Sequence, residues 1–155
     1  MLDGLSLSKA KLVVELGPGT GVFTEKLLEL IGSKTRLLVI EINPEFYNSL
    51  KNKITDSRVT LINGSAADIQ FYLKKMNATE VDYIISSLPL AVLPLSLRSR
   101  IVISSRETLK QKGKYVQFQY TLQSQKMLEK VFNNVQIKTC LLNLPPAFIY
   151  SCSME

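Results

Sequence analysis

The residues best suited to chemistry lie in a glycine-rich segment near the start of the chain, Glu15-Leu16-Gly17-Pro18-Gly19-Thr20-Gly21. Glycines let a backbone turn tightly and approach a ligand closely, because no Cβ intervenes. A dinucleotide-binding fingerprint needs glycine at its first, third and sixth positions. Here the last glycine, Gly21, stands at the fifth position and Val22 at the sixth. The segment therefore predicts a close backbone contact with a ligand other than NAD.

Three further polar segments follow later apolar runs. Glu41 closes one run, and its carboxylate can accept two hydrogen bonds at once, which suits the diol of a ribose. Asn63-Gly64-Ser65-Ala66-Ala67-Asp68 follows the next run, and Asp68 is also suited to cap the N-terminus of a helix. Ser86-Ser87-Leu88-Pro89-Leu90 follows the fourth run.

Alternating strands and helices must position these groups. Runs rich in β-branched residues and leucine predict buried strands over residues 11–16, 36–42, 59–62, 81–86 and 114–120. Helical spacing predicts helices from Val22 to a stop at Gly32, from Pro44 to Ile54, from Asp68 to Lys75, from the end of the 88–94 stretch to about Lys112 with Gly113 as its stop, and from Ser124 to Phe132.

Two more strands are predicted over residues 135–142 and 147–152. The four residues between them are too few for a parallel crossover, so these strands must form an antiparallel hairpin. The expected fold is α/β, with a mostly parallel seven-stranded sheet, a C-terminal antiparallel hairpin and helices on both faces. Ligands of such sheets bind beyond the carboxyl ends of the strands, where the polar segments lie.

Composition narrows the class of protein. The 155 residues, 46% of them hydrophobic, suit a single domain, here preceded by a short N-terminal segment over residues 1–10. The chain has no histidine, which excludes Ser-His-Asp and Cys-His nucleophiles and histidine-containing metal sites. Cys140 and Cys152 are expected to be small buried thiols. No apolar run is long enough for a membrane span, and no signal peptide is evident, so a cytoplasmic location is expected.

The net charge of +6 arises entirely within residues 91–155. A basic half attracts either an anionic membrane surface or a nucleic acid, and charge alone does not choose between them. The plainer alternative is a solvated surface that keeps the protein soluble.

The glycine loop preceded by Glu15, in a fold of this kind, resembles motif I of the class I S-adenosylmethionine-dependent methyltransferases. The resemblance covers residues 11–155 and implies S-adenosylmethionine as the cofactor. It implies that Glu15 helps to position the amino group, that Glu41 binds the ribose and that Ser65 accepts a hydrogen bond from adenine. The implied cofactor-binding residues are Glu15, Gly17, Gly19, Thr20, Gly21, Glu41, Ile42, Asn43, Ser65, Ala66 and Ser86.

Ser87-Leu88-Pro89-Leu90 stands where methyltransferases of adenine or glutamine amino groups have Asn or Asp, then Pro-Pro or Leu-Pro, then Tyr or Phe. With residues 117–121 and 144–150, this segment resembles the bacterial phospholipid N-methyltransferases, which are relatives of the ribosomal RNA adenine dimethylases. In the methyltransferases of adenine or glutamine amino groups, the polar residue and the carbonyl after it accept hydrogen bonds from the target nitrogen, and the aromatic ring stacks on the base. With Ser87 and Leu90 at these positions, a base-methylating site would lose both its acceptor and its stacking platform. The apolar loop 91–95 then forms an exposed lip for a lipid, or else tucks into the core.

The expected reaction is methyl transfer to the amine of a phosphatidylethanolamine-type phospholipid, with Ser87, Leu88, Pro89 and Tyr120 as catalytic residues. Tyr120 is the candidate proton acceptor, although an aromatic packing role is the plainer reading. The alternatives are an RNA adenine or small-amine methyltransferase, and a cofactor-binding module with little activity. The expected partner is a phospholipid or membrane surface at the inner face of the membrane, with RNA and a second copy of the chain as alternatives. No C-terminal RNA-binding helical domain is expected.

Overall fold

The computed structural model describes residues 2–140 and 145–155, and within them seven strands form one sheet. The strands are β1 (Leu12–Leu16), β2 (Arg36–Glu41), β3 (Val59–Asn63), β4 (Val81–Ser86), β5 (Leu109–Gln119), β6 (Asn134–Cys140) and β7 (Ala147–Ser153). Their order is β3-β2-β1-β4-β5-β7-β6. Strands β1 to β5 run parallel, whereas β7 is antiparallel to both β5 and β6. The predicted sheet and its closing hairpin are confirmed.

Five α-helices in the described residues cover both faces of the sheet. They are α1 (Val22–Leu30), α2 (Pro44–Lys53), α3 (Ile69–Lys75), α4 (Leu95–Thr108) and α5 (Gln125–Val131). On one face, Leu73 of α3, Val102 of α4 and Leu128 of α5 are buried against the sheet. On the other, Leu27 of α1 packs beside Leu7 of the N-terminal segment. The strands can therefore be apolar on both sides, as parallel strands usually are.

The predicted end of the fourth helix is wrong. Helix α4 ends at Thr108, and β5 begins at the next residue, so the predicted stop at Gly113 falls inside a strand. The pairing of β4 with β5 shifts register at this point. A Cβ on Gly113 would lie 3.0 Å from three backbone carbonyl oxygens. The glycine therefore allows two backbone segments of the sheet to approach closely, and it does not end a helix.

Two helix-end assignments also need correction. Helix α1 ends with Ile31 in an extended conformation, and Gly32 is needed because a Cβ there would lie 2.5 Å from the Ser8 carbonyl oxygen. Asp68 makes no capping hydrogen bond. Ser65 caps instead, because its hydroxyl oxygen accepts a hydrogen bond from the Ala67 N–H at 3.2 Å, at the start of a short 3₁₀ turn that leads into α3.

The C-terminal hairpin separates the two cysteines. Cys140 faces Ala147 across the strand pair, whereas Cys152 lies at the other end of the hairpin. Cys152 is buried, and burial raises the pKa of its thiol to about 12, but Cys140 is only half-buried, so the expectation of two buried thiols is wrong for Cys140. The predicted extension of the sixth strand over residues 141–142 and the first part of the join, residues 143–144, lie outside the described residues.

The longest helix, α4, has 14 residues. Across residues 2–140 and 145–155, we find no helix with both the length and the apolar character needed to cross a membrane.

Candidate active site

A cleft of about 520 Å³ opens where β1, β4 and β5 end. Its walls come from the glycine loop after β1, the first turn of α1, the segment after β4 and the residues that close β5. This is the edge of the sheet predicted from the strand order, and the volume is typical of small-molecule sites. Among the described residues that line it, no side chain is charged. A charged ligand group would therefore meet no charged side chain in the described part of the cleft wall.

The glycines of the loop have two different structural roles. Gly17, Gly19 and Gly21 all have positive φ, at +68°, +56° and +88°. A Cβ on Gly19 would meet nothing within 4 Å, so this part of the backbone faces open space in the cleft wall. A Cβ on Gly21 would lie 2.5 Å from the Leu50 side chain. Gly19 therefore exposes backbone to a ligand, whereas Gly21 lets α2 pack against the loop.

Glu15 is a buried carboxyl group with one unsatisfied oxygen. The side chain is 0% exposed, and its Oε2 accepts a hydrogen bond from the Thr24 hydroxyl at 2.6 Å. Its Oε1 has no hydrogen-bond partner among the residues that the structure describes. Burial raises the pKa of Glu15 to about 7. The hydrogen bond from Thr24 lowers this pKa, and the negative charge of Glu41 raises it by a smaller amount. A cationic ligand group would satisfy this oxygen and favour its ionised form.

Glu41 connects the loop after β2 to the glycine loop. Its Oε2 accepts a hydrogen bond from the Gly19 N–H at 3.1 Å, and its Oε1 accepts one from the Asn43 N–H at 2.8 Å. Each carboxylate oxygen retains a lone pair, so a ribose hydroxyl can still be bound. The ribose role stays a prediction. Asn43 itself caps α2 by accepting from the Glu45 N–H, and the neighbouring Ile42 is 64% exposed, as an adenine-facing surface would need.

The predicted cofactor residues are not all brought to one surface. Gly17, Gly19 and Thr20 line the cleft. The others lie outside its walls: Glu15, Gly21, Glu41, Ile42, Asn43, Ser65, Ala66 and Ser86. Ser65 uses its hydroxyl oxygen as a local cap, and Ser86 is fully buried beneath the segment after β4. Their contacts with the cofactor stay predictions.

The segment after β4 is fixed by two glutamines, neither of which was predicted as a site residue. The Leu88 carbonyl accepts hydrogen bonds from the side-chain amides of Gln117, at 2.9 Å, and Gln119, at 2.7 Å. Because a carbonyl oxygen has two lone pairs, both are engaged before any substrate arrives. The Ser87 hydroxyl is buried in the cleft wall without a hydrogen-bond partner in the described parts of the chain. Ser87 is therefore the better-placed acceptor for a substrate N–H group.

Only part of the apolar loop after β4 is exposed. Leu90 is 0% exposed and Leu93 packs against the core, so for these two side chains the alternative of a loop tucked into the core holds. The Leu90 carbonyl also accepts a hydrogen bond from Arg98 of α4 at 3.4 Å, which ties the loop to that helix. Val92 and Leu95 point outward instead, with 79% and 64% of their surface exposed.

Aromatic side chains form much of the cleft wall. The ring centroids of Phe118 and Tyr120 lie 5.2 Å apart with their planes nearly perpendicular, at 86°. Phe23, from the first turn of α1, lies 6.1 Å from Phe118, and Phe46 of α2 lines the wall as well. Only Tyr120 was predicted as a site residue. The spacing of residues 118 and 120 on one strand was the signal available for Phe118, because alternate residues share a face.

Three lysines from the basic half of the chain lie on β5, away from the cleft. Lys110, Lys112 and Lys114 lie in the first half of β5, and the cleft is at the opposite end of that strand. Lys110 also forms an ion pair with Asp82 of β4 at 2.7 Å, whose carboxylate accepts hydrogen bonds from two backbone N–H groups as well. These lysines therefore form no binding surface around the cleft.

Comparison with known proteins identifies the family. The profile of the family described as ribosomal RNA adenine dimethylase matches residues 1–119. The chain belongs to this family. It is similar to the ornithine lipid N-methyltransferase of Singulisphaera acidiphila, with 26% identity over 145 residues that cover 92% of this chain and 76% of the relative. It is also similar to the ribosomal RNA small subunit methyltransferase A of Blochmanniella floridana, with 32% identity over 55% of this chain and 30% of that protein.

Solved structures share the fold. The N-methyltransferase NodS of Bradyrhizobium japonicum, solved with S-adenosylhomocysteine, matches with a TM-score of 0.74 and 16% identity over 95% of this chain and 80% of that chain. A putative rRNA methylase of Clostridium thermocellum matches with a TM-score of 0.73 and 18% identity, over 94% and 87%. The chain is an S-adenosylmethionine-dependent N-methyltransferase of class I, and the expected fold, family and cofactor are confirmed.

The residues present fit this cofactor. Gly19 offers open backbone in the cleft wall, where any side chain would intrude. The unsatisfied Oε1 of Glu15 offers a buried acceptor for an amino group. Glu41 connects the glycine loop to the end of β2, and each of its carboxylate oxygens can accept one more hydrogen bond. These observations come from the chain itself and agree with the family assignment.

Proposed function

We propose that the chain methylates the amine headgroup of a membrane lipid, which enters the cleft across an apolar rim formed by Val22, Val92, Leu95, Tyr120 and Leu122. The rim is the observation that carries the proposal. These side chains are 67%, 79%, 64%, 55% and 46% exposed, and three of them, Val22, Val92 and Tyr120, also line the cleft. Exposed apolar side chains grouped at the mouth of a site mark an interaction surface, and acyl chains are a partner of matching chemistry.

The acceptor end of the cleft supports a lipid amine over a nucleic-acid base. The residue at the base-stacking position, Leu90, is fully buried and cannot contact a ligand. The Leu88 carbonyl already accepts two side-chain hydrogen bonds, which leaves the Ser87 hydroxyl as the acceptor in that segment. A primary amine needs only one or two such contacts, so the segment after β4 can bind it without a ring at position 90.

The relatives described as lipid and as RNA methyltransferases are covered to different extents. The relative described as an ornithine lipid N-methyltransferase aligns with 92% of this chain and is covered over 76% of its own length. The chain spans less than half the length of the ribosomal RNA methyltransferases that it matches, 30% of one and 44% of another.

The proposed mechanism assigns cofactor binding to Glu15, Glu41 and the glycine loop. When bound, S-adenosylmethionine supplies an electrophilic methyl group on a positively charged sulfur. The open backbone at Gly19 would let the ligand pack directly against the loop, and Glu15, which is buried outside the cleft wall, would help to position the amino group directly or through water at its unsatisfied Oε1. Glu41 accepts from the ribose hydroxyls while it holds the Gly19 and Asn43 N–H groups. These contacts fix the ligand so that the acceptor amine approaches in line.

The acceptor amine must reach the cleft unprotonated. A primary ammonium group has an ordinary pKa of about 10. The cleft wall offers it no charged side chain among the described residues, so desolvation lowers the pKa of the ammonium and favours the neutral nucleophile. The Ser87 hydroxyl then accepts one N–H and orients the nitrogen. The Tyr120 hydroxyl, at the exposed mouth, is our candidate to pass the displaced proton to water.

The test compares two lipid amines on vesicles. The chain is incubated with labelled S-adenosylmethionine and anionic vesicles that contain either phosphatidylethanolamine or an ornithine lipid, and the two arms identify which headgroup is used. We expect the double variant Val92→Asp/Leu95→Asp to lose at least about tenfold in vesicle methylation, because it removes two apolar contacts and adds charges that an anionic surface repels. Cofactor affinity in this variant should be unchanged.

The control is Ile103→Asp, which changes an apolar side chain that is 44% exposed and lies farther along the same helix as Leu95. We expect its lipid methylation to equal that of the unmodified chain. Equal losses in the control and the rim variant, or methylation of neither lipid by a chain that binds the cofactor, would reject the lipid proposal.

A ribosomal RNA adenine acceptor is the second candidate, and the family match over residues 1–119 favours it. This acceptor predicts methylation of ribosomal RNA fragments, no effect of vesicles and an affinity that falls steeply with salt. Charged substitutions in the apolar rim would then leave the rate of RNA methylation unchanged.

A further inference from the structure

We propose that Phe118 and Tyr120, with Phe23 beside them, form an aromatic corner that binds an alkylated ammonium group. The proposed function enters only as the source of that cation, because methylation of a lipid amine yields an alkylammonium headgroup. The corner would retain a partly methylated headgroup for a further round of transfer. It would thus determine how many methyl groups are added.

The geometry of the corner suits a compact cation. The planes of Phe118 and Tyr120 are nearly perpendicular, at 86°, with centroids 5.2 Å apart in an edge-to-face pair, and because both rings line the cleft a group bound there can contact both of them. Phe23 extends the surface, 6.1 Å from Phe118 and tilted by 56°. Phe118 lies near the end of β5 and Tyr120 directly follows that end, and all three rings line the same cleft. Tyr120 is 55% exposed, so its ring is accessible from solvent.

The electrostatics of the wall leave the rings as the groups that would hold a cation. No carboxylate lines the cleft in the described part of the chain. The faces of aromatic rings carry negative potential and attract cations within about 6 Å of the centroid. The same chain shows this contact elsewhere, because Lys75 Nζ lies 4.4 Å from the centroid of Phe71.

The selectivity of the corner should increase with methylation. Each added methyl group removes an N–H donor, so hydrogen-bond acceptors such as Ser87 hold a methylated nitrogen less well. A quaternary ammonium group donates no hydrogen bond, yet its contact with ring faces is undiminished. The cleft therefore pairs a polar contact suited to the primary amine with ring contacts suited to its methylated forms.

The test uses choline and its neutral isostere, 3,3-dimethyl-1-butanol, titrated into the protein and followed by NMR. Saturating S-adenosylhomocysteine fills the cofactor site, so that the probes report on the acceptor end alone. We expect choline to bind at least about threefold more tightly than the isostere, as expected for cation–π contacts with two rings. Tyr120→Leu should abolish this preference, whereas Tyr120→Phe should retain it.

Phe71→Leu is the matched control, because Phe71 is also 55% exposed but lies on α3 outside the cleft. Its choline preference should match that of the unmodified chain. Equal or tighter binding of the isostere, absence of binding by choline, or equal effects of Phe71→Leu and Tyr120→Leu would overturn the inference. The comparison of the two probes on the unmodified chain needs no variant. It therefore tests the inference even if a variant fails to fold.

The two proposals fail separately. Lipid methylation without a choline preference would reject the aromatic corner and leave the proposed function standing. A choline preference without lipid methylation would reject the lipid substrate and leave the cation site standing.

Discussion

Glu15 should couple both cofactor affinity and stability to pH, with opposite signs. Its carboxyl group is 0% exposed, and burial raises its pKa from the ordinary 4.5 to about 7. Between these values the folded chain keeps a proton that the unfolded chain has lost. The contribution of Glu15 to the free energy of unfolding is therefore present below pH 4.5 and is lost as the pH rises through 7. The displacement corresponds to about 3 kcal/mol.

Cofactor binding should follow the opposite trend. A cationic amino group next to the unsatisfied Oε1 favours the ionised carboxylate, so the cofactor binds better once Glu15 has lost its proton. With a pKa of about 7, the ionised fraction is small at pH 6 and dominant at pH 7.5. We expect the affinity for S-adenosylmethionine to increase about eightfold over this interval.

The assay combines calorimetric titration of S-adenosylmethionine with urea unfolding, both between pH 5 and pH 8. The variant is Glu15→Gln, which keeps an acceptor for the Thr24 hydroxyl but cannot ionise. The control is Glu80→Gln, which changes an exposed residue outside the cleft. We expect the unmodified chain and the control to show both pH dependences, and Glu15→Gln to show neither. Equal slopes in the unmodified chain and Glu15→Gln would refute the reasoning.

Two further predictions concern stability in urea unfolding. Gly21→Ala should cost about 1–3 kcal/mol, because it places a Cβ at φ +88° and 2.5 Å from the Leu50 side chain, whereas Gly4→Ala, at φ +81° with nothing within 4 Å, should cost only the smaller backbone strain. Equal losses at the two glycines would show that the contact with Leu50 does not matter. Leu90→Asp should cost more than about 4 kcal/mol because it buries an unpaired charge, whereas Val92→Asp should change stability by less than about 0.5 kcal/mol. Equal effects in these two variants would contradict the observed exposure of the loop.

Much of the fold follows from local sequence patterns. Five apolar runs each end at a turn and precede a helical pattern, which is enough to predict a parallel sheet, and the short join before Ala147 requires a hairpin. The pattern fails at Gly113, because a glycine after a helical run has the same local appearance whether it ends the helix or admits a neighbouring strand. Only the backbone carbonyl oxygens beside Gly113 distinguish the two, and two of the three belong to Val81 and Asp82, which are distant in sequence.

The parts of the candidate site that were predicted are those formed by a single segment of the sequence. The glycine loop, Ser87 and Tyr120 lie in or beside strand ends, and all three come to the cleft. The exposure of the loop after β4 was not predictable, because its apolar residues have no regular period. The aromatic corner depends on Phe23, which an amphipathic helix pattern assigns to the core. Contacts between elements far apart in sequence have no local signature.

The central claim is that the methyl acceptor is a lipid amine. The most direct measurement is a single reaction that contains labelled S-adenosylmethionine, vesicles with phosphatidylethanolamine and an ornithine lipid, and ribosomal RNA fragments, with every product identified by mass spectrometry. We expect the label on a lipid nitrogen, with more than one methyl group per headgroup. Label confined to the RNA, or no labelled product from a chain that binds the cofactor, would contradict the claim.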